Sequence, residues 1–151
     1  MKRVLIGVVL AFMAQGAQAS DDDIMQMQAG GDVPATMDKL VAAVEDAGAT
    51  VFARVDHSGG AAAAGMELAP SQLLIFGNPS LGTPAMQDNA LSGLFLPLKV
   101  LVYEDADGRT WLAYEDPEET LTDLDGIGEN AKYIAQMRMA LIRLTKAAAG
   151  R

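Results

Sequence analysis

The chain has 151 residues, of which 20 are acidic and 11 basic, and a formal net charge of −9. An acidic chain with scattered Lys and Arg repels phosphate backbones, so we expect no nucleic-acid binding. The sequence contains no cysteine, which excludes disulfides, thiol nucleophiles and cysteine-based metal sites. A chain of this length buries roughly two-thirds of its unfolded surface, which is enough for one domain without cross-links.

The N-terminal residues have the pattern of a secretory signal peptide. Two basic residues precede an apolar run at 4–14, and small residues at positions 17 and 19 match a cleavage site. The apolar run is shorter than the roughly 20 residues that cross a bilayer core. We therefore expect cleavage of residues 1–19, export to the bacterial periplasm, no membrane insertion after cleavage, and a single domain over residues 20–151.

Apolar periodicity predicts about five strands, with strands and helices in the order β-α-β-α-β-α-β-β-α. The first strand covers 24–28, and the following helix has its N-cap at Thr36 and its stop at Gly48. A second strand covers 50–57, and in its alternation of apolar and polar residues only Phe52 is out of place.

The second half of the chain begins with a short Ala-rich helix that Ser58 caps. The strand at 72–76 is apolar on both faces, which is typical of a central position in the sheet. Thr83 and Pro84 fit the N-cap and first turn of the next helix. The remaining elements are a hairpin at 98–104 and 109–115 and a C-terminal helix at 129–149.

Five separated motifs carry a family resemblance. They are Asp56-His57, Leu73 to Pro79, Gly82 to Met86, Leu96 to Val100 and Tyr114 to Pro117. In order and spacing they resemble the domain-of-unknown-function 302 family over most of residues 24–118. The resemblance implies a small α+β domain with a helix-backed, antiparallel-rich sheet that forms a homodimer, and it implies no established activity. A paired sheet edge or the apolar hairpin face around Trp111 would then form the contact.

The candidate site combines four residues from two loops. His57 is the only histidine, so any general base or pH switch that needs an imidazole depends on it. If a short helix crosses between the second and third strands, both end on one edge of the sheet and bring His57 towards Asn78. With Asp56, Thr83 and free N–H groups near Pro84, they would bind a small molecule or an anion without a cofactor.

Other interpretations stay open beside this one. His57 would hydrogen-bond a loop carbonyl and Asn78 its own turn, in a structural or protein-interaction module without a ligand. A hydrolase would use His57 as general base with Asp56, although neighbouring strand residues point to opposite faces, so an enzyme is the weaker hypothesis. Copper bound by Met25, Met27 and Met37 competes with plain core packing of these side chains.

Overall fold

The computed structural model describes residues 23–150, so the predicted signal peptide lies outside the described residues. Within this range the fold is α+β, and it confirms the predicted class and order of elements. The strands are β1 (Ile24–Gln28), β2 (Thr50–Asp56), β3 (Ser71–Gly77), β4 (Leu98–Glu104) and β5 (Thr110–Glu115). The helices are α1 (Val33–Asp46), α2 (His57–Ala63), α3 (Pro79–Asp88), α4 (Pro117–Thr122) and α5 (Lys132–Ala149), with a 3-10 helix at Ala90–Leu94.

The strands form one open sheet in the order β1-β5-β4-β3-β2, and every neighbouring pair is antiparallel. In the β2–β3 pair, Thr50 lies opposite Gly77 and Asp56 lies opposite Gln72. The end of β2 and the end of β3 are therefore at opposite ends of the sheet, about 20 Å apart at the usual rise per residue. The expectation that both strands end on one edge is wrong, because α2 joins antiparallel neighbours.

Helices α1 and α5 cover one face of the sheet, because alternate residues of the strands are apolar there. The main cluster contains Met37 and Leu40 of α1, Leu141 of α5, and inward-facing strand residues. These strand residues are Leu74, Phe76, Val100, Val102, Leu112 and Tyr114. A second cluster, at one end of the sheet, joins α3, α4 and α5 through Ala85, Leu121, Ile134 and Met137. The molecule thus has a helix-covered face and a helical layer around one end of the sheet.

The other face of the sheet carries the alternate strand residues. Leu73, Ile75, Leu101 and Trp111 are each partly buried, and none of them belongs to either buried cluster of the described residues. Lys99 and Glu115 lie on this face as an ion pair with 3.5 Å between Nζ and Oε2. We call this surface the open sheet face.

Capping side chains place the first three helix starts earlier than the sequence predicted. Asp32 caps α1 in place of Thr36, since its Oδ1 accepts the N–H of Ala35 at 2.9 Å. Thr36 is buried one turn inside the helix. Asp56 caps α2 in place of Ser58, and Asn78 caps α3, so Thr83 and Pro84 lie inside that helix. In each case an Asx side chain before the expected cap accepts the first N–H groups.

The C-terminal part differs in two further respects. Asp116 caps an additional short helix, α4, by accepting the N–H of Glu118 at 3.0 Å. Helix α5 begins at Lys132, three residues later than predicted, and ends at Gly150 in the left-handed conformation. Arg138 of α5 forms ion pairs with Asp116 and Glu118, which ties α4 to α5.

Candidate functional site

The four predicted site residues divide between two corners of the fold. Asp56 and His57 form the β2–α2 corner, and Asn78 lies at the β3–α3 corner, with Thr83 one turn into α3. The antiparallel β2–β3 pairing puts these corners at opposite ends of the sheet. The structure therefore brings Asn78 and Thr83 together and leaves His57 and Asp56 apart from them.

At the β2–α2 corner the polar groups serve local structure. The carboxylate of Asp56 accepts the N–H of Gly59 at 2.9 Å and the hydroxyl of Ser58 at 2.7 Å. These two bonds, the first more than the second, lower the pKa of Asp56. His57 is exposed and makes no side-chain hydrogen bond with residues 23–150, and α2 has no buried residue. A shallow concavity beside α2 is lined by Ser58, Ala62, Met66, Glu67, Leu68 and Ala69, and His57 is not part of its lining.

At the β3–α3 corner Asn78 satisfies the start of the helix. Its side-chain Oδ1 accepts the N–H of Ser80 at 3.0 Å and also the Ser80 hydroxyl. Its carbonyl oxygen accepts the N–H groups of Leu81 and Gly82 at 2.9 and 3.1 Å. These bonds agree with the expectation that Asn78 satisfies its own turn, whereas the His57 side chain bonds no loop carbonyl within residues 23–150. The expectation of free N–H groups near Pro84 is wrong, because that proline is internal to α3.

A cavity of about 280 Å³ opens beside this corner. One side is α3, which presents Gly82, Thr83 and Met86, and the inner end reaches Met137 of α5, which is 1% exposed. Leu96 and Pro97, before β4, line the cavity as well. The other lining residues are Phe52, Gly77, Asn78, Pro79, Leu81, Gly93 and Leu98.

Phe52 stands at the mouth of the cavity with 56% of its surface exposed. The β2–β3 register shifts between Val51 and Ala53, so Phe52 is the extra residue of a β-bulge. Gly77 permits the approach of the ring, because a Cβ there would lie 3.2 Å from Phe52 Cε2. Sequence reasoning missed Phe52 as a site residue, although its apolar side chain in a polar position of the strand was the available signal.

The cavity lining is uncharged and mostly apolar. None of its residues is acidic, basic or histidine, and its polar side chains are those of Asn78 and Thr83. The two largest pKa changes in residues 23–150 lie elsewhere. Hydrogen bonds, first that from the Arg109 N–H, lower the pKa of Asp105 to about 2, whereas burial and then the bond to Asp88 raise the pKa of Tyr133 to about 12. The cavity lining thus contains no carboxylate, imidazole, amine or phenol, which are the side-chain groups that most often serve in acid–base catalysis.

The described residues also show no metal centre. No group of three or more His, Asp or Glu side chains in residues 23–150 is placed to hold a metal ion. Met37 is fully buried in the main cluster, whereas Met25 is 41% exposed on β1. Met27 packs against the same cluster, so two of the three methionines considered for copper are in contact with the core.

Comparison with known families agrees with this fold. The family model described as "Domain of unknown function DUF302" matches residues 25–144. The chain belongs to this family. A crystal structure of an uncharacterized conserved DUF302 protein from Bacillus stearothermophilus has a TM-score of 0.75 at 18% sequence identity, over 83% of this chain and 98% of that one. At this identity the likeness shows a shared fold.

Curated relatives of this DUF302 chain are longer proteins. The match to "Fluoride-specific ion channel FluC 1" from Brucella suis is 41% identical over 101 residues, which is 67% of this chain and 40% of the relative. The protein of the same name from Brucella abortus matches at the same identity over 37% of its length. The chain thus spans about two fifths of these relatives, whose name describes the whole protein. Within residues 23–150, no helix combines the length and apolar character that a membrane span needs.

Proposed function

We propose that this DUF302 domain binds a small, mainly apolar ligand in the cavity at the β3–α3 corner. The observation that carries the proposal is a cavity of about 280 Å³ whose lining is uncharged and whose mouth has an exposed aromatic ring, Phe52. Ligand sites typically measure about 300–1,000 Å³ and are apolar with a few polar groups. A cavity at the lower limit of that range selects a small ligand.

Two polar groups at the cavity would orient the ligand. The Oδ1 atom of Asn78 is used by Ser80, whereas its Nδ2 group makes no hydrogen bond within residues 23–150. The Thr83 hydroxyl also makes none there, and Thr83 is exposed. A ligand with an apolar body and one hydroxyl or carbonyl group would bury its body, at about 25 cal/mol per Å², and bond these groups.

The proposal is tested by filling the cavity. A Cβ on Gly82 would point towards Leu96 Cδ1 at 3.7 Å and Met86 Cε at 3.8 Å, both ordinary contacts. Gly82→Leu therefore fits the helix, improves its propensity by up to about 1 kcal/mol, and occupies the cavity. We expect wild type to bind octanol and to enhance the fluorescence of N-phenylnaphthylamine, and Gly82→Leu to lose both while it stays folded.

Gly60→Leu is the matched control, since Gly60 lies in α2 and a Cβ there has no heavy atom within 4 Å. This variant should bind both probes as wild type does. Wild type that binds neither probe would refute the proposal. Unchanged binding by Gly82→Leu would do so as well, because the probe would then sit elsewhere.

A second candidate function is self-association through the open sheet face. Its centre is neutral, because Leu73, Ile75 and Leu101 are apolar and Lys99 is paired with Glu115. Two chains that each carry an excess of acidic residues repel one another least where their surfaces are neutral. This supports a homodimer in which the open sheet faces meet.

The dimer is tested by sedimentation of wild type, Leu101→Glu and a control, Leu94→Glu. Leu101 lies in the middle of the open sheet face, whereas Leu94 is 76% exposed on the 3-10 helix. We expect a wild-type dimer at micromolar concentration that Leu101→Glu dissociates and Leu94→Glu leaves intact. A wild-type monomer would contradict this candidate.

The proposed place of action is the bacterial periplasm, which the pattern of residues 1–19 supports.

Catalysis with His57 as general base has no support from the apolar cavity, because the imidazole is exposed at the opposite end of the sheet. The ligand site therefore retains Asn78 and Thr83 from the sequence prediction.

A further inference from the structure

A second concavity, the α5 groove, lies on the other side of the β3–α3 corner. It has a volume of about 390 Å³ and runs between the end of α1, the start of α3 and the exposed side of α5. Its polar side chains are Asn78, Ser80, Gln136 and Arg143. The apolar lining residues are Ala47, Ala49, Phe76, Gly77, Leu81, Leu98, Met139, Ala140 and Leu144.

The charge of the α5 groove is opposite to that of the chain as a whole. The sequence has 20 acidic residues and 11 basic ones, yet no acidic residue lines this groove and Arg143 does. Arg54, Lys99, Arg109 and Arg138 each form an ion pair within residues 23–150, whereas Arg143 forms none there. Its guanidinium therefore remains available to a carboxylate, with which it matches in geometry.

Helix ends around the groove modify this charge. The start of α3 lies next to Ser80, but the N–H groups of Ser80, Leu81 and Gly82 already donate to Asn78, so it offers an anion no free N–H. The negative end of α1 and Asp46 oppose an anion. The N–H groups of Ala47, Gly48 and Ala49 donate to the carbonyls of Ala43, Glu45 and Val44, so the end of α1 is hydrogen-bonded. Arg143 is thus the charged side chain that a ligand in the groove would meet.

The groove and the apolar cavity share a wall. Gly77, Asn78, Leu81 and Leu98 line both, so the two concavities adjoin at these residues. A ligand that passes over this wall at Asn78 and Leu81 would reach the apolar cavity with one end and the groove of Arg143 with the other. We propose that the ligand is an amphipathic carboxylate, with its apolar chain in the cavity and its carboxylate at Arg143; this inference rests on the proposed function.

The test pairs two ligands of equal chain length, octanoate and octanol, with two charge variants. Arg143→Gln removes the cation of the groove, and Lys39→Gln removes an exposed α1 cation that lines neither concavity. We expect Arg143→Gln to weaken the binding of octanoate about fivefold, because the loss of an exposed ion pair worth roughly 1 kcal/mol changes an affinity by that factor. Octanol binding to this variant should change less than about twofold, since it has no charge to pair.

Lys39→Gln should leave both affinities within about twofold, because it changes only the net charge. The inference would be overturned if Arg143→Gln weakened the binding of octanoate and octanol equally, since the side chain would then act through structure alone. No weakening of octanoate would overturn it too. These outcomes leave octanol bound to wild type, whereas failure of the proposed function itself shows as no octanol binding at all.

Discussion

The β2–α2 and β3–α3 corners begin alike and end differently. Each has an Asx residue that ends a strand and caps a helix, Asp56 in one and Asn78 in the other. Helix α2 then has no buried residue, whereas α3 buries Ala85 and packs on α5. The polar residue after the strand is therefore a helix cap at both corners, and of the two only Asn78 lines the apolar cavity, where the following helix packs on α5.

The largest expected difference between the corners is in how much a substitution lowers the free energy of unfolding. One methionine near each corner provides the comparison. Met137 is 1% exposed next to the apolar cavity, and Met66 is 62% exposed after α2. Met137→Ala should lower the free energy of unfolding by about 2–5 kcal/mol, because it removes buried atoms and enlarges a cavity. Met66→Ala should change it by less than about 0.5 kcal/mol. Urea denaturation measures both, and similar losses would erase the distinction.

Removal of the two caps should separate global from local effects. Asn78→Ala is expected to lower the free energy of unfolding by about 1 kcal/mol, because α3 packs on the rest of the fold and losing its cap destabilises the whole domain. Asp56→Ala should leave that free energy nearly unchanged and instead increase amide exchange within α2, which has no buried residue. Amide exchange followed by NMR distinguishes them. Global destabilisation by Asp56→Ala would show that α2 is integral to the core.

A fall in pH should weaken the helix cap at Asp56 and leave the cap at Asn78 unchanged. The pKa of Asp56 with α2 folded is lowered from 3.8, so its small contribution to the local stability of α2 is fully present above the unfolded pKa. That contribution is lost as the pH falls through the lower folded value. Asn78 is an amide and does not titrate. As the pH falls below 3.8, the Gly59 amide resonance should shift with protonation of Asp56, while the Ser80 resonance should not follow the same titration.

The smallest effect is expected from His57→Ala. The imidazole is exposed and makes no side-chain hydrogen bond within residues 23–150, so unfolding free energy should stay within about 0.5 kcal/mol of wild type. Octanol affinity should also be unchanged, because His57 lies at the far end of the sheet from the cavity. A weaker octanol affinity of His57→Ala would contradict this and would indicate that His57 takes part in binding.

The strands were predicted well, because each apolar segment ends at turn residues, although β3 is apolar on both faces and its burial alternates only in the folded sheet. Strand direction was the step that the sequence left open. A short helix between two strands is compatible with either direction, and the antiparallel outcome separated His57 from Asn78. Helix starts were less accurate, because Asp32 and Asn78 compete as caps with the Thr residues that follow them.

The cavity itself was only partly predictable. Asn78 and Thr83 were identified because polar residues follow an apolar strand, but Met137 comes from a helix more than 50 residues later in the chain. Its contact with α3 depends on how α5 packs at the end of the sheet. Only tertiary structure supplies that information.

Glycine amides provide the most direct measurement of the central claim, which is that a ligand binds at the β3–α3 corner. Gly77, Gly82 and Gly93 line the cavity, whereas Gly59 and Gly60 lie in α2. In a two-dimensional amide spectrum titrated with octanol, we predict saturable shifts for the first three resonances and none for the other two. Shifts confined to α2, or no saturable shift at all, would contradict the account.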